Sequence, residues 1–262
     1  MLKPFPVVTL LTDFGLQDWY VGVMKGVILR INPSAKIIDI CEKIAPQDVF
    51  GAAYVLFSAY KYFPEQTVHV VVVDPGVGSD RKIVCLKTKE HIFLAPDNGI
   101  LSFIIAHEKP EIMVEVTNKK YFLPEVSNTF HGRDIFAPVA GHILNGVKIE
   151  NFGNKISKIK EITLPSPVLL SNGILTAEII YIDGFGNLIT NIDCNVLGKV
   201  GFDINLTKGR FSILAGNNEI AGTSKSYADV NDGDLLAIFG SSGYLEIAVN
   251  KGNAKELLNL KK

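Results

Sequence analysis

Apolar and polar positions change their spacing several times along the chain, and each change predicts an element. The β-branched run at 7–11 reads as a strand, and a loop rich in Asp and Gly follows it. Tyr20, Met24, Val27 and Ile31 then recur at helical spacing until Asn32-Pro33, which predicts a helix from Trp19 to Ile31. A strand at 36–40 and a helix at 48–62 come next, the latter with Val49, Ala53, Leu56 and Tyr60 on one face. The continuous run at 67–73 predicts a central strand covered on both faces. Strands at 82–87, 92–95 and 112–116 and helices at 100–107 and 133–144 complete this half. Alternating strands and helices predict an N-terminal α/β domain, residues 1–160, with helices on both faces of a mostly parallel sheet.

The character changes near residue 150. Residues 148–168 are Lys-rich, end in Pro165-Ser166-Pro167 and read as a linker. Beyond it, runs at 174–182, 188–192, 211–214, 235–239 and 244–249 are short, β-rich and separated by Gly, Asn and Asp. They predict a smaller C-terminal all-β barrel domain, residues 168–262.

Composition narrows the function classes. The 262 residues carry a formal net charge of −1 with 47% hydrophobic residues, an ordinary globular balance. Near-neutral charge argues against a general nucleic-acid or membrane-surface binder. Cys41, Cys85 and Cys194 are too widely spaced for a zinc knuckle or redox pair. The N-terminal region lacks the apolar run of a signal peptide, so a cytoplasmic location is expected.

Candidate chemistry gathers where strands should end, which is where open α/β sheets bind ligands. Four clusters lie there: Thr12-Asp13-Phe14-Gly15 with Asp18; Asp74-Pro75-Gly76-Val77-Gly78 followed by Arg81; Ala95-Pro96-Asp97-Asn98-Gly99; and Phe130-His131-Gly132-Arg133-Asp134. Taken singly, each reads equally well as a turn with an Asx cap. Asp13-Phe14-Gly15 lacks the companion motifs of a kinase, and no dinucleotide fingerprint follows the first strand. Asn205-Leu206-Thr207 fits a glycosylation acceptor without meaning in a cytosolic chain. Asp13, Asp18, Asp74, Asp97, His131 and Asp134 could offer hard metal ligands, but no His pair has ligand spacing. The favoured reading is a metal-free acid–base site of Asp74, Arg81 and His131 that orients and activates a water.

In the β-rich half, Asp183-Gly184-Phe185-Gly186-Asn187 suits a flat heterocycle, with Phe185 to stack and Asn187 to bond a base edge. Ser241-Ser242-Gly243-Tyr244-Leu245-Glu246 offers hydroxyls and amides to a carboxylate. Both segments also read as plain hairpin turns.

Taken in order from Val7 to Leu258, these motifs resemble the S-adenosylmethionine hydrolases, or hydroxide adenosyltransferases, relatives of the fluorinases and chlorinases. The resemblance implies cleavage of S-adenosylmethionine by water to adenosine and methionine, without a cofactor or metal. It makes Asp74, Arg81 and His131 the triad that positions the nucleophile. Asp13 would grip the ribose hydroxyls and Asp183 the methionine ammonium. Asn187 and Phe185 would meet the adenine, Ser241 and Ser242 the methionine carboxylate, and Glu246 and Val249 would border the adenine. It also implies a homotrimer, with each substrate between one subunit's N-terminal domain and its neighbour's C-terminal domain.

Departures from the fluorinase pattern separate the reactions. That pattern has tyrosines at the positions of Asp74 and His131, and a serine at Gly132 that serves the halide. A carboxylate at 74 would repel a halide, so water is favoured. Ser242 stands where the fluorinase has an arginine. The alternatives are a halide-dependent adenosyl transferase, a non-catalytic binder of S-adenosylmethionine or adenosine, and a metal-dependent hydrolase.

Overall fold

The computed structural model describes residues 6–199 and 211–262; Asn205-Leu206-Thr207 lies outside them. The chain divides into two compact units that meet between Thr163 and Leu164.

In the first unit, β1 (Val7–Thr12) leads through α1 (Tyr20–Ile31) to β2 (Lys36–Cys41). The run of α1 ends at Asn32, because Pro33 disfavours helical backbone before it. Helix α2 (Val49–Ala59) starts where the Asp48 carboxylate accepts the Gly51 N–H at 2.9 Å, and a short 3₁₀ turn at Tyr60–Tyr62 ends it. Next come β3 (Val68–Val72), β4 (Ile83–Lys87), β5 (Ile92–Pro96), α3 (Ser102–His107) and β6 (Ile112–Val116). Helix α4 (Ala137–Leu144) and β7 (Gly153–Lys155) close the unit.

The seven strands form one sheet in the order β2-β1-β3-β5-β4-β6-β7. Strands β2, β1, β3 and β5 run parallel, whereas the ladders β5–β4, β4–β6 and β6–β7 are antiparallel. The mostly parallel sheet expected from the alternation is therefore corrected to one that is half parallel. The physical reason is the four-residue link between β4 and β5, too short for a crossover.

Helices lie on both faces. Val8, Leu10, Val68, Val70 and Val72 pack with Met24 and Ile28 of α1 and Val139 and Ala140 of α4. On the other face His69 and Phe93 meet Tyr60, and Phe57 of α2 stacks on Phe103 of α3 with ring centroids 5.5 Å apart. The linker read at 148–168 is also corrected: Phe152 is fully buried and β7 pairs with β6. Further on, the Ile162 N–H donates to Ser102 Oγ at 2.9 Å.

The helix expected at 133–144 begins differently. Residues Gly132–Phe136 form a π turn, and α4 starts only after it. Pro138 has no N–H to donate to the Asp134 carbonyl four residues back. That carbonyl accepts the Leu123 N–H instead, at 2.9 Å. A missing donor in the sequence thus produces an irregular turn beside His131.

In the second unit, β8 (Val168–Leu169) and β9 (Leu175–Thr176) form a small hairpin. Strands β10 (Ile179–Ile182) and β11 (Leu188–Asp193) follow, then α5 (Cys194–Lys199), β12 (Ser212–Ala215), β13 (Asn218–Ala221), β14 (Leu235–Phe239), β15 (Tyr244–Val249) and α6 (Ala254–Leu258). The run at 174–182 is two strands rather than one, interrupted where the Glu178 N–H turns to the Asn191 side chain at 2.9 Å. The main sheet is antiparallel in the order β10-β11-β15-β14, and β12–β13 is a separate pair. Among the described residues no ladder joins β10 to β14, so this unit is described as all-β sheets. Leu188, Ile247 and Val249 lie in its apolar core.

A buried polar chain crosses the first sheet. His69 Nδ1 lies 2.8 Å from Thr9 Oγ1, and His69 Nε2 lies 3.3 Å from His91 Nδ1. Burial, then the neighbouring His91, lowers the His69 pKa to about 3. An unfolded histidine titrates near 6.5. The folded state therefore binds fewer protons in the window between, and stability falls as pH drops from about 6.5 towards 3. We expect unfolding midpoints in denaturant to decline over that range, by at most about 1.4 kcal/mol per pH unit for this group. His69→Gln should make the decline shallower; an unchanged slope would contradict the assignment.

Candidate active site

The strand order reverses direction at β1, where α1 departs on one face and α2 returns on the other. The carboxyl ends of β1 and β3 flank that point, the usual crevice of an open α/β sheet. Thr12 pairs with Val72 in register, so Asp13 and Asp74 emerge from neighbouring strands.

Asp74 and Arg81 form a bidentate pair. Arg81 Nε donates to Asp74 Oδ1 at 2.8 Å and to Oδ2 at 2.7 Å, and Nη2 also donates to Oδ2. Their side chains are only 5% and 10% exposed, so both charges are largely withdrawn from water. The Phe136 ring backs the guanidinium at 5.7 Å. Arg81 Nη2 lies 3.1 Å from His131 Nδ1. A guanidinium can only donate, so Nδ1 accepts and the neutral ring carries its proton on Nε2. Burial, then the Arg81 charge, lowers the His131 pKa; Asp74, Asp134 and the nearby Ser127 backbone oppose this. The fold thus brings His131 to an ion pair whose arginine lies 50 residues away in sequence.

Two loops carry this triad, and they interlock. Gly78 adopts φ +78°, and the Asn128 carbonyl presses where its Cβ would be. Only glycine meets both conditions without strain. The first cluster joins through aromatic contacts: Phe14 meets Phe130 edge-on at 5.9 Å, and Trp19 and Tyr20 flank the same ring. Asp13 Oδ2 accepts the Gln47 N–H at 2.8 Å, and Gln47 itself sits at φ +66°. Nothing in the sequence marks Gln47, because a backbone donor leaves no side-chain pattern. The third cluster is a brace: Asn98 donates to the Val73 carbonyl at 2.9 Å, and Asp97 accepts the Lys160 N–H at 2.6 Å. Asp18 is exposed. Among the described residues, no three His, Cys, Asp or Glu side chains are grouped to hold a metal ion.

The second unit carries its own polar cluster. Asp183 Oδ1 accepts the N–H groups of Phe185 and Asn187, each at 2.9 Å, and Oδ2 accepts Asn187 Nδ2 at 2.9 Å. The Asx-turn reading is therefore realised, and within it Phe185 is held 78% exposed. Glu246 on β15 is nearly buried and accepts from Tyr227 Oη at 3.1 Å. Burial raises the Glu246 pKa, the Asp183 charge adds to the rise, and the Tyr227 hydrogen bond opposes it. Burial and the same two carboxylates push the Tyr227 hydroxyl up to about 12. Tyr227 stands in no motif of the sequence; only the tertiary fold brings it to Glu246. Ser241 and Ser242 occupy the turn that opens β15, whereas the Asp183 turn lies beside its other end, where Leu188 pairs with Ile247. The two ends of β15, Tyr244 and Val249, are roughly 17 Å apart at the usual strand rise. Val249 faces the apolar core.

The sequence matches the SAM hydroxide adenosyltransferase N-terminal domain over residues 8–153 and the corresponding C-terminal domain over residues 177–262. The chain belongs to this family. A relative from Methanocaldococcus jannaschii, named (R)-S-adenosyl-L-methionine hydrolase, is 36% identical over 97% of this chain and 92% of its own. A protein from Actinoplanes sp. named fluorinase is 28% identical over 98% of this chain and 95% of its own. A solved structure of an uncharacterized conserved protein from Thermotoga maritima superposes with a TM-score of 0.89 at 40% identity, covering 97% of both chains. The relatives therefore include proteins named hydrolase and proteins named fluorinase, and residues must separate the two readings. No described helix is long and apolar enough to cross a membrane.

The buried pair has a consequence for stability. Removing one partner leaves an uncompensated charge, which costs about 3–5 kcal/mol in comparable sites. We expect Asp74→Ala to lose stability on that scale in urea unfolding. His131→Ala, which leaves the pair intact, should lose far less. Equal losses would show that the ion pair is not what stabilises these loops.

Proposed function

We propose that this protein hydrolyses S-adenosyl-L-methionine to adenosine and L-methionine. The observation that carries the reading is Asp74, paired with Arg81 and joined to His131, at the carboxyl end of β3. An anionic carboxylate there would repel a halide and suits a water molecule. In the reaction, the water oxygen bonds to C5′ as the C5′–sulfonium bond breaks. The bonding pair returns to sulfur, and methionine departs as a neutral thioether. The leaving group needs no proton and no Lewis acid, so we propose a metal-free and cofactor-free reaction. What remains is to hold water in line and take up its proton. Asp74, Arg81 and His131 do this as one coupled unit.

In this reading Asp13, fixed through one oxygen by Gln47, offers the other to the ribose hydroxyls. In the second unit Asp183 meets the methionine ammonium. Asn187 and Phe185 meet the adenine, with Glu246 and the backbone at Val249 bordering it, and Ser241 and Ser242 take the carboxylate. We further propose a homotrimer in which neighbouring subunits complete each site; light scattering on the eluted protein tests it.

The deciding experiment incubates purified protein with S-adenosylmethionine, with chelator present and halide absent, and separates the products chromatographically. Equal amounts of adenosine and methionine are expected. Intact substrate, or turnover only after chloride or a divalent metal is added, would overturn the reading. His131→Ala should reduce kcat by about 10²-fold or more, with much less change in substrate binding. Protonating His131 would break the hydrogen bond that Arg81 donates to it. Because its pKa lies below the ordinary 6.5, the acid limb of kcat should fall below pH 6.5 and be absent near neutrality.

A further inference from the structure

The loop that carries His131 is built around a buried anion for which the proposed chemistry has no direct use. Asp134 is fully buried. Its Oδ2 accepts the Ser127 N–H at 2.8 Å, the Ser127 hydroxyl at 2.7 Å and Arg133 Nη2 at 3.1 Å, and Oδ1 accepts Arg133 Nε at 2.6 Å. Burial pushes this carboxyl up, but the Arg133 and Ser127 hydrogen bonds outweigh it and hold the pKa below the ordinary value. Ser127 faces two ways. Its hydroxyl donates to Asp134 and accepts the Phe130 N–H at 3.1 Å, one residue before His131. Phe130 is in turn covered by the Arg133 guanidinium at 5.2 Å. The backbone that delivers His131 is therefore tied to the buried carboxylate through a single serine.

A buried carboxylate is a costly way to close a loop that an amide could also close. Its negative charge is the feature an amide would lack. The charged groups facing His131 are Arg81 and Asp74 from the loop after β3, and Asp134, itself paired with Arg133, from its own turn. Arg81 disfavours a protonated ring, and Asp134 and Asp74 favour one.

We propose that Asp134, acting through Ser127, is a positioning residue for His131, setting both the orientation of the ring and the field in which it titrates. The catalytic part of this inference rests on the hydrolase reading above; the titration part does not.

The test uses the full-length protein with Asp134→Asn, Ser127→Ala and Ser127→Thr, and His131→Ala as reference. In Asp134→Asn and Ser127→Ala, kcat should fall by roughly tenfold to 100-fold while KM stays within about twofold. Ser127→Thr, which keeps the hydroxyl, should recover most of the rate. Independently, the His131 imidazole resonance, identified by its absence in His131→Ala, should titrate at lower pH in Asp134→Asn than in wild type. A folded Asp134→Asn protein with unchanged kcat and unchanged His131 titration would overturn the inference. If Asp134→Asn does not fold, equal kcat in wild type and Ser127→Ala would overturn it, as would equal losses in Ser127→Ala and Ser127→Thr. If the wild type does not turn over, the hydrolase reading fails alone, and the His131 titration in Asp134→Asn still decides this one.

Discussion

The Arg81 guanidinium holds the candidate site together. Its fork grips both oxygens of Asp74 and still reaches His131, so one cation joins two loops and three titratable groups. Two charges removed from water this far are tolerated only when the geometry is good and the remaining donors are used. The surroundings meet that demand. Phe136 backs the guanidinium, β3 delivers Asp74 from fully buried backbone, and the glycine at 78 lets the neighbouring loop close against it. A lysine could match the charge but not the fork.

The two units treat their carboxylates differently. In the first, Asp74 is an anion paired with a fixed cation. In the second, Asp183 and Glu246 see each other without a guanidinium between them among the described residues, and are satisfied instead by N–H groups, an amide and a phenol. That leaves local negative potential, a surrounding that favours an incoming positive charge. A sulfonium ligand with an ammonium group is one molecule that would exploit it, consistent with the proposed substrate.

Much of this was legible in the residues. Strand ends were marked because Asp, Gly and Pro cluster where buried β-branched runs stop, and Asp13, Asp74 and His131 stood in such clusters. Strand direction was harder to read, because composition does not encode it; the short link from Lys87 to Ile92 was the usable signal. The supposed linker misled because its lysines masked Phe152, a single buried anchor. Gln47 and Tyr227 escaped for a different reason. One acts through its backbone and the other through a contact with a residue on a distant strand, and neither leaves a periodic trace. The barrel expectation rested on strand count, whereas closure depends on long-range ladders that local pattern does not specify.

The π turn before α4 has a rotational meaning. Compared with a regular helix it holds one additional residue, and each residue of an α-helix advances the chain by about 100°. Were Pro138 a residue with an N–H, the Asp134 carbonyl would regain a helical partner and the turn could tighten by that residue. His131, immediately before it, would then swing by roughly a quarter of a revolution about the helix axis, away from the guanidinium it now faces. The direction in which the imidazole points is in this sense an angular offset, written seven residues downstream by an atom that proline lacks.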